Sequence, residues 1–372
     1  MDRPVRVLGE YGRRLALLGE AAALARALDD RARLGQVLAR MAHVRRQTGD
    51  LDGAMVAGQQ ALELAAALGE SALQVQASYN LGLAYHAIGD FGRAAELLWW
   101  NVEAADREAG SSRTDMRLQS QAWLALTLSH LGAFAEGRRH GEEALRLATL
   151  AGRGDTPITV HRCLGHLYLA QGDLEHAIRV LEPGLALCRA SGDRAWLPGI
   201  VASLGYAAVL QGRLAEGCAL LEEAIREESR MGVPQNHSSR VRRLSEVCRL
   251  TGRYDEAWQH ARQALDLARQ LQERGNEAHA LHQLGVVYAH ATPPDVAQAA
   301  THYQQALALA EELGMRPLQA HCHLGLGTLY ATTGQREQSR TALATAIDLY
   351  RAMDMTLWLP QAEAALAQVG GQ

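Results

Sequence analysis

The residues most able to do chemistry in this sequence are its 15 histidines and five cysteines. Two short runs resemble metal-ligand spacings: His279 and His282 lie three residues apart, and His321 and His323 flank Cys322. Helix residues at i and i+3 share a face, whereas residues at i and i+2 do not. A zinc ion on His279 and His282 would still need two further ligands. The nearby sequence supplies no cysteine for that purpose, so we predict no metal site and no cofactor.

A cysteine nucleophile is the second chemical possibility, because Cys163 lies close in sequence to His161 and His166. A reactive thiol needs a partly open setting, whereas a thiol on a packed helix face is inert. The sequence has no C-x-x-C pair among its cysteines, which are Cys163, Cys188, Cys218, Cys248 and Cys322. We therefore expect reduced core thiols in a cytoplasmic protein. We predict no catalytic residue and no enzymatic activity.

The composition excludes several enzyme classes, because all 37 basic residues are arginine and lysine is absent. The sequence therefore has no Walker A lysine and no Schiff-base lysine. The formal charge of −4 does not predict a nucleic-acid partner. One uncharged run, "AWLPGIVASLGYAAVLQG", is long enough to consider as a membrane span. It contains Pro198, Gly199 and Gly205, and a buried helix is the better interpretation, so no membrane partner is expected.

A repeated turn organises the elements that must position these residues. The turn reads "TGDL" at 48, "IGDF" at 88, "QGDL" at 171, "QGRL" at 211 and "TGRY" at 251, and most successive glycines lie 40 residues apart. Segments with the apolar periodicity of a helix stand before and after each turn. The glycine can adopt the left-handed conformation that ends a helix, and the aspartate suits the start of the next one. The pattern predicts an all-α chain of helix-turn-helix units.

The motif "LG-x-x-Y", followed by "G-D-[FLY]" and then by an alanine, resembles the tetratricopeptide (TPR) repeat, and the likeness covers nearly the whole chain. It implies a right-handed solenoid of about eighteen helices. By this reading, residues 1–30 are the second helix of a truncated repeat, residues 31–354 are eight repeats, and residues 355–370 are a capping helix. The units depart from the family pattern, since each has about 40 residues rather than 34.

Two stretches, "ALHQLGVVYAH" and "AIDLYRAMDMTLWLPQAEAALAQV", resemble the C-terminal TPR region of bacterial proteins that join a class III adenylate/guanylate cyclase domain to a STAND-type ATPase module. The resemblance implies a sensing or docking part of a bacterial signalling protein, with catalysis upstream. We therefore expect the chain to be the C-terminal piece of a longer protein that carries adjoining cyclase or ATPase modules.

In TPR arrays, particular sites on the first helix of each repeat face a concave groove. Carried onto this chain, the resemblance places there a set rich in histidine and arginine. The candidate binding residues are Tyr79, His86, His130, Arg162, His166, Tyr206, Arg242, Arg249, His279, His282, His290 and His321. The fifth unit is apolar and lies between Arg162 and His166 on one side and Arg242 and Arg249 on the other. Because arginine recognises carboxylates and phosphates, this pattern predicts a partner segment with an apolar centre and acidic flanks.

The preferred function is therefore a non-enzymatic protein- or peptide-interaction or sensor domain. Three alternatives remain open from the sequence: a sensor of a metabolite or nucleotide, a structural dimerisation arm, and an inner wall with no ligand. The pair Trp99–Trp100 lies within a second helix, which cannot bury both rings on one face. The pair marks either packing against the next repeat or a contact with another domain or copy.

Overall fold

The computed structural model describes residues 3–106, 111–151, 156–191, 196–231 and 236–370. Eighteen α-helices and no strand occur in these ranges, so the predicted all-α solenoid is confirmed. The helices are α1 (Arg3–Ala27), α2 (Arg31–Thr48), α3 (Leu51–Leu68), α4 (Ser71–Ile88), α5 (Phe91–Asp106), α6 (Ser111–Leu131), α7 (Phe134–Ala151), α8 (Thr156–Gln171), α9 (Leu174–Ser191), α10 (Leu197–Leu210), α11 (Leu214–Met231), α12 (His237–Leu250), α13 (Tyr254–Gln270), α14 (Arg274–Ala289), α15 (Val296–Glu312), α16 (Arg316–Thr332), α17 (Arg336–Ala352) and α18 (Leu359–Gly370).

The recurring turn ends one helix and starts the next, as its residue types predict. Gly49 and Gly89 follow their helices with φ of 85° and 101°, and the amide of each donates to carbonyls of the last helical turn. The carboxylates of Asp50 and Asp90 then accept from backbone amides three residues on, at 2.9 Å and 3.1 Å. Each turn therefore satisfies groups that a helix end leaves without partners.

Consecutive helices pair into hairpins, and a repeated alanine in the second helix allows the two backbones to approach. This alanine has no exposed surface at any of the five positions Ala54, Ala94, Ala177, Ala257 and Ala299. Larger side chains at these positions would overfill a close-packed interface. The even-numbered helices from α2 to α16 are the first helices of the hairpins, and they also pack against one another along the solenoid.

The solenoid winds so tightly that it contacts itself. Helix α1 packs against α11, α4 against α14, and α6 against α16, which in each case is ten helices, or five hairpins, further along the chain. We call this line of contact the seam. Its contacts pair Asp52 with Gln272, Gly89 with Gly275, Gly132 with Arg316, Gly172 with Trp358, and Gln171 with Asp354.

The seam is closest where two glycines meet. A Cβ atom on Gly89 would lie 2.7 Å from the backbone nitrogen of Gly275, and one on Gly275 would lie 2.9 Å from the ring of Phe91. Real Cβ atoms do not come so close to backbone atoms. Successive turns of the solenoid can therefore touch at this point only because both positions lack a side chain.

In the described part of the chain, no helix combines the length and the apolar character that crossing a bilayer requires.

The seam makes a prediction about two glycines with positive φ. Gly89→Ala and Gly252→Ala both impose left-handed strain on an alanine, but only Gly89 has a neighbour within reach of the new methyl group. We expect Gly89→Ala to lower the free energy of unfolding by about 1–3 kcal/mol more than Gly252→Ala does, because overpacking usually costs that amount. Urea titration followed by circular dichroism measures both losses. Equal losses for the two variants would mean that the seam does not form in solution.

Candidate ligand-binding chamber

The tight winding closes the concave side of the solenoid into a chamber of about 980 Å³. First helices from α4 to α16 form its wall, and Trp358 reaches it from the segment before α18. The predicted concave groove is therefore a partly enclosed chamber, because the seam joins one turn of the solenoid to the next. Its volume lies near the top of the range of about 300–1,000 Å³ that is typical of ligand sites.

The chamber wall carries many cationic and imidazole groups and few acids. Its arginines are Arg162, Arg240, Arg242, Arg243 and Arg249. Its histidines are His86, His130, His166, His279, His282, His290 and His321. Glu246 is the one acidic side chain among the described lining residues, and it lies 3.9 Å from Arg242. Arg240 has a carboxylate of its own outside the lining, since its guanidinium lies 2.6 Å from Glu228.

Eleven of the twelve candidate residues line this chamber. They are His86, His130, Arg162, His166, Tyr206, Arg242, Arg249, His279, His282, His290 and His321. The prediction that they bind a partner remains a prediction. Tyr79 requires a correction, because it lies in the helix core with Leu83 and Trp123 and is only 8% exposed. Helix α6 packs over α4 at this level and covers the tyrosine, and burial raises its pKa.

Four of the histidine rings form a cluster near the seam. The His130 ring centroid lies 5.4 Å from His86, 5.9 Å from His166 and 6.4 Å from His279. Phe91 stacks on His130 at 4.3 Å with the ring planes 7° apart. Since Phe91 also contacts Gly275 across the seam, the cluster joins the chamber wall to the contact between successive turns.

Burial keeps these imidazoles neutral. It lowers the pKa of His130 to about 4, and burial together with the His321 ring and Arg242 lowers the pKa of His282 to about 3. The pKa values of His86, His166 and His279 lie well below the ordinary range for the same first cause, followed by nearby cationic groups. A neutral imidazole offers one donor and one acceptor. The chamber therefore provides both kinds of hydrogen-bonding group.

The His86 ring has a defined tautomer. The Thr127 hydroxyl donates to the carbonyl of Trp123 at 2.8 Å, and it lies 3.0 Å from Nδ1 of His86. The single hydroxyl proton is therefore committed to the carbonyl. Because the hydroxyl must accept from the ring, Nδ1 carries the proton and Nε2 is the acceptor.

The arginines remain charged although they are shielded. Arg243 is 6% exposed, and burial together with the Arg242 charge lowers its pKa only to about 10. The Nε atoms of Arg162, Arg242 and Arg249 are buried without a hydrogen-bond partner. A buried charged donor without a partner is costly. The wall therefore presents charged guanidinium groups, and an anionic ligand would pair with their accessible amino groups.

Sequence reasoning missed several lining residues. Arg243 follows the predicted Arg242 in the run "RVRR", but it is not one of the positions that the TPR resemblance places in the groove. It reaches the chamber because its guanidinium lies over the Tyr206 ring, 4.6 Å from the centroid. Trp358 enters only through the winding of the solenoid, for which no local sequence signal exists.

Four of the five cysteines are buried, and Cys163, the candidate nucleophile, is one of them. Cys163 has no exposed surface, and burial raises its pKa, which opposes formation of a thiolate.

His321 lines the chamber, whereas His323 does not, which agrees with the expected divergence of i and i+2 side chains.

One group of potential metal ligands, Cys248, Glu256 and His260, has its donor atoms within 4.8 Å of one another. It lies outside the chamber lining, and Arg253 already pairs with Glu256 at 3.1 Å. We assign no metal to this group.

The Trp99 ring packs against the next repeat. Its centroid lies 5.0 Å from that of His140 on α7, and its indole nitrogen donates to Glu103 at 2.9 Å. Both Trp99 and Trp100 are half-buried. The contact with His140 favours packing within the solenoid as the role of this ring.

Comparison with known proteins places the chain among TPR structures. Residues 164–195 match the tetratricopeptide repeat family model. A Rap protein complexed with Competence and Sporulation Factor is 12% identical, with a TM-score of 0.66 over 94% of this chain and 98% of that one. The Rap conjugation regulator of plasmid pLS20, in complex with the Phr* peptide, is 13% identical, with a TM-score of 0.62 over 93% and 97%.

A STAND protein with a TPR sensor from Pyrococcus horikoshii is also similar in fold. It is 13% identical, with a TM-score of 0.50 over 96% of this chain and 54% of that one. No curated protein sequence matches the chain. The predicted resemblance to TPR proteins is confirmed: the chain has the TPR fold.

The neutral histidines give a prediction for acid stability. Their pKa values are lower in the folded chain than the ordinary value of about 6.5, so the unfolded chain takes up protons first as the pH falls. Their contribution is complete above about pH 6.5 and is lost as the pH falls toward about 4. For His130 alone we expect a loss of roughly 2 kcal/mol between about pH 7 and about pH 5.

Urea titration of the wild-type protein and of His130→Gln at both pH values measures this effect. Glutamine does not titrate, so the variant should lose less stability on acidification than the wild type. The same loss in both proteins would show that His130 is not held neutral by the fold.

Proposed function

We propose that this chain is a non-enzymatic binding or sensor domain that encloses a short, acidic peptide segment in its chamber. The observation that carries the proposal is the wall itself, in which five arginines and neutral histidines face a partly enclosed space with one carboxylate. A peptide carboxylate would pair with the accessible amino groups of these arginines. The Rap proteins of the same fold are described in complex with the Phr* peptide and with Competence and Sporulation Factor, and the first of these supports a peptide as the occupant.

The electrostatics favour recognition over catalysis. A general base works best when its pKa lies near the operating pH. Burial lowers the pKa values of His130 and His321 to about 4 and that of His282 to about 3, so these rings are weak bases. The same neutral rings are well suited to hydrogen bonding with a peptide backbone.

We further propose that the chain acts as a regulatory part of a cytoplasmic bacterial signalling protein with cyclase or ATPase modules. The fold similarity to a STAND protein with a TPR sensor supports this context. The free cysteines, four of which are buried, support a reducing compartment.

A small-molecule sensor is the second candidate, and the chamber volume favours it. A space of about 980 Å³ closed by the seam has the size of sites that surround most of a small ligand. Nucleotides share the anionic chemistry that the arginines would recognise.

Charge reversal within the chamber tests the proposal. Pools of synthetic acidic and basic hexapeptides, together with ATP and cyclic AMP, would be screened by affinity selection and mass spectrometry. We expect the wild-type protein to retain acidic peptides. We expect the triple variant Arg162→Glu, Arg242→Glu, Arg249→Glu to lose at least about tenfold in affinity for each arginine changed.

The matched control reverses three arginines that are 59–69% exposed, through Arg139→Glu, Arg179→Glu and Arg340→Glu, and should bind as the wild type does. Retention of nucleotides but not peptides would favour the second candidate. Equal binding by the chamber variant and the control would contradict both.

Filling the chamber gives an independent test. Ala170 lines the chamber and is half-buried, whereas Ala67 is exposed on α3. We expect Ala170→Trp to reduce peptide binding and Ala67→Trp to leave it unchanged, because only the first ring occupies space inside the wall. Isothermal titration with the selected peptide measures both. Unchanged binding to Ala170→Trp would place the ligand elsewhere.

A further inference from the structure

Helix α10 presents an unusual inner face to the chamber. The N-terminal part of this face carries only small side chains, at Gly199, Ala202 and Ser203, and the Tyr206 ring lies toward its C-terminal end. An arginine from each neighbouring first helix lies against opposite ends of this face. We call the resulting site the shelf, and its residues are Gly199, Ala202, Ser203, Tyr206, Arg162 and Arg243.

Arg162, from α8, is fixed at the N-terminal end of the shelf. Its guanidinium carbon lies 4.7 Å from the ring centroid of Trp123 and 5.2 Å from that of Trp196. A Cβ atom on Gly199 would lie 3.2 Å from Cδ of Arg162, so the glycine leaves room for the side chain to lie against α10. Contacts with two indoles hold the guanidinium through cation–π attraction. Its Nη2 donates to Sγ of Cys163 at 3.3 Å, and its remaining amino hydrogens are left for a ligand.

Arg243, from α12, is fixed at the other end. Its guanidinium lies 4.6 Å from the Tyr206 ring centroid, and it reaches the carbonyl of Ala202 at 3.4 Å. The side chain is 6% exposed, and its Nε atom is buried without a hydrogen-bond partner. It is therefore a shielded cationic group whose donor capacity is only partly used.

The charges on the shelf have no carboxylate in direct contact within the described residues, although Glu246 lies near enough to offset part of the fall that burial causes in the pKa of Arg243. Within the described residues, neither Arg162 nor Arg243 has a carboxylate in ion-pair contact, and the Nε atoms of both lack a partner. The nearby carboxylate of Glu246 forms an ion pair with the guanidinium of Arg242, at 3.9 Å. Shielded cations of this kind are stabilised strongly by an incoming anion, because the low local dielectric strengthens the attraction.

Arg162 lies against Gly199, and Arg243 contacts Ala202 and Tyr206, which lie three and seven residues further along α10, or roughly 5–10 Å of helix. We propose that the shelf is a two-point anion site, which takes a ligand with two oxyanion groups roughly 5–10 Å apart and an apolar stretch between them. This inference rests on the proposed function of the chamber as a ligand site and specifies the chemistry of the ligand. Carboxylates and phosphates share the planar or tetrahedral oxygen pairs that a guanidinium binds in a bidentate manner.

A series of α,ω-dicarboxylates measures the spacing directly. Butanedioate is too short to reach both arginines, whereas extended decanedioate separates its carboxylates by about 10 Å. Decanoate is the matched probe with the same chain length and one charge. We expect decanedioate to bind about 10–100-fold more tightly than decanoate or butanedioate. That gain in affinity is typical of one additional hydrogen bond between charged groups.

Quenching of tryptophan fluorescence follows binding, since Trp123 and Trp196 flank Arg162. The α,ω-bisphosphate of the same chain length identifies the preferred oxyanion. Tighter binding of the bisphosphate assigns a phosphorylated ligand, and tighter binding of the dicarboxylate assigns an acidic peptide or acid.

Neutral variants assign each end of the site. We expect Arg162→Gln and Arg243→Gln each to reduce decanedioate affinity about 10–100-fold, to the level of decanoate. Arg139→Gln, at a position 69% exposed on α7, should bind as the wild type does. If the buried Arg243→Gln variant does not fold, Arg162→Gln and the comparison of ligands on the wild-type protein still decide the question.

Equal affinity for decanedioate and decanoate, or full affinity in Arg162→Gln, would overturn the two-point site. The proposed function does not fail with it, because acidic hexapeptides excluded by Ala170→Trp would still place a ligand in the chamber. Failure of the acidic hexapeptides to bind, while decanedioate still binds and depends on Arg162, would contradict the proposed function and leave the two-point site standing.

Discussion

The approach of Gly89 to Gly275 is the constraint on which the rest of the structure depends. A solenoid with five hairpins in each turn can stack its turns closely only where backbone meets backbone without side chains between. This contact narrows the concave side of the solenoid into a partly enclosed chamber. The burial of the wall residues, and therefore their electrostatics, follows from that closure.

Closure has opposite effects on the two basic residue types of the wall. Imidazole can release its proton, so shielding leaves the histidines neutral. Guanidinium cannot do so in this range of pH, so the arginines keep their charge. The wall therefore separates into neutral groups that adapt as donor or acceptor and fixed cations that require an anion. A chain with lysine in place of arginine would lack this division, because burial lowers a lysine pKa readily.

The local parts of this architecture could be predicted from the sequence. Turns such as that at Gly89 and Asp90 carry their own capping chemistry, and eleven of the twelve proposed groove residues line the chamber. The closure could not be predicted, because it depends on small angles between hairpins that add up over five units. Tyr79 was misplaced for a related reason: how far α6 covers α4 is a property of packing between repeats. Trp358 joins the wall across the seam, far from the repeat motif in sequence.

Phe91 links the seam to the chamber wall. Its ring stacks on His130 in the chamber wall and also lies against Gly275 on the following turn of the solenoid. One side chain therefore contacts both the chamber wall and the seam. An occupant that shifts His130 would change the rise of the solenoid at this point. Because hairpins are connected in series, the same small rotation at each junction is summed along the chain. Such a rotation at each junction would displace α1 relative to α18, at the two ends of the solenoid.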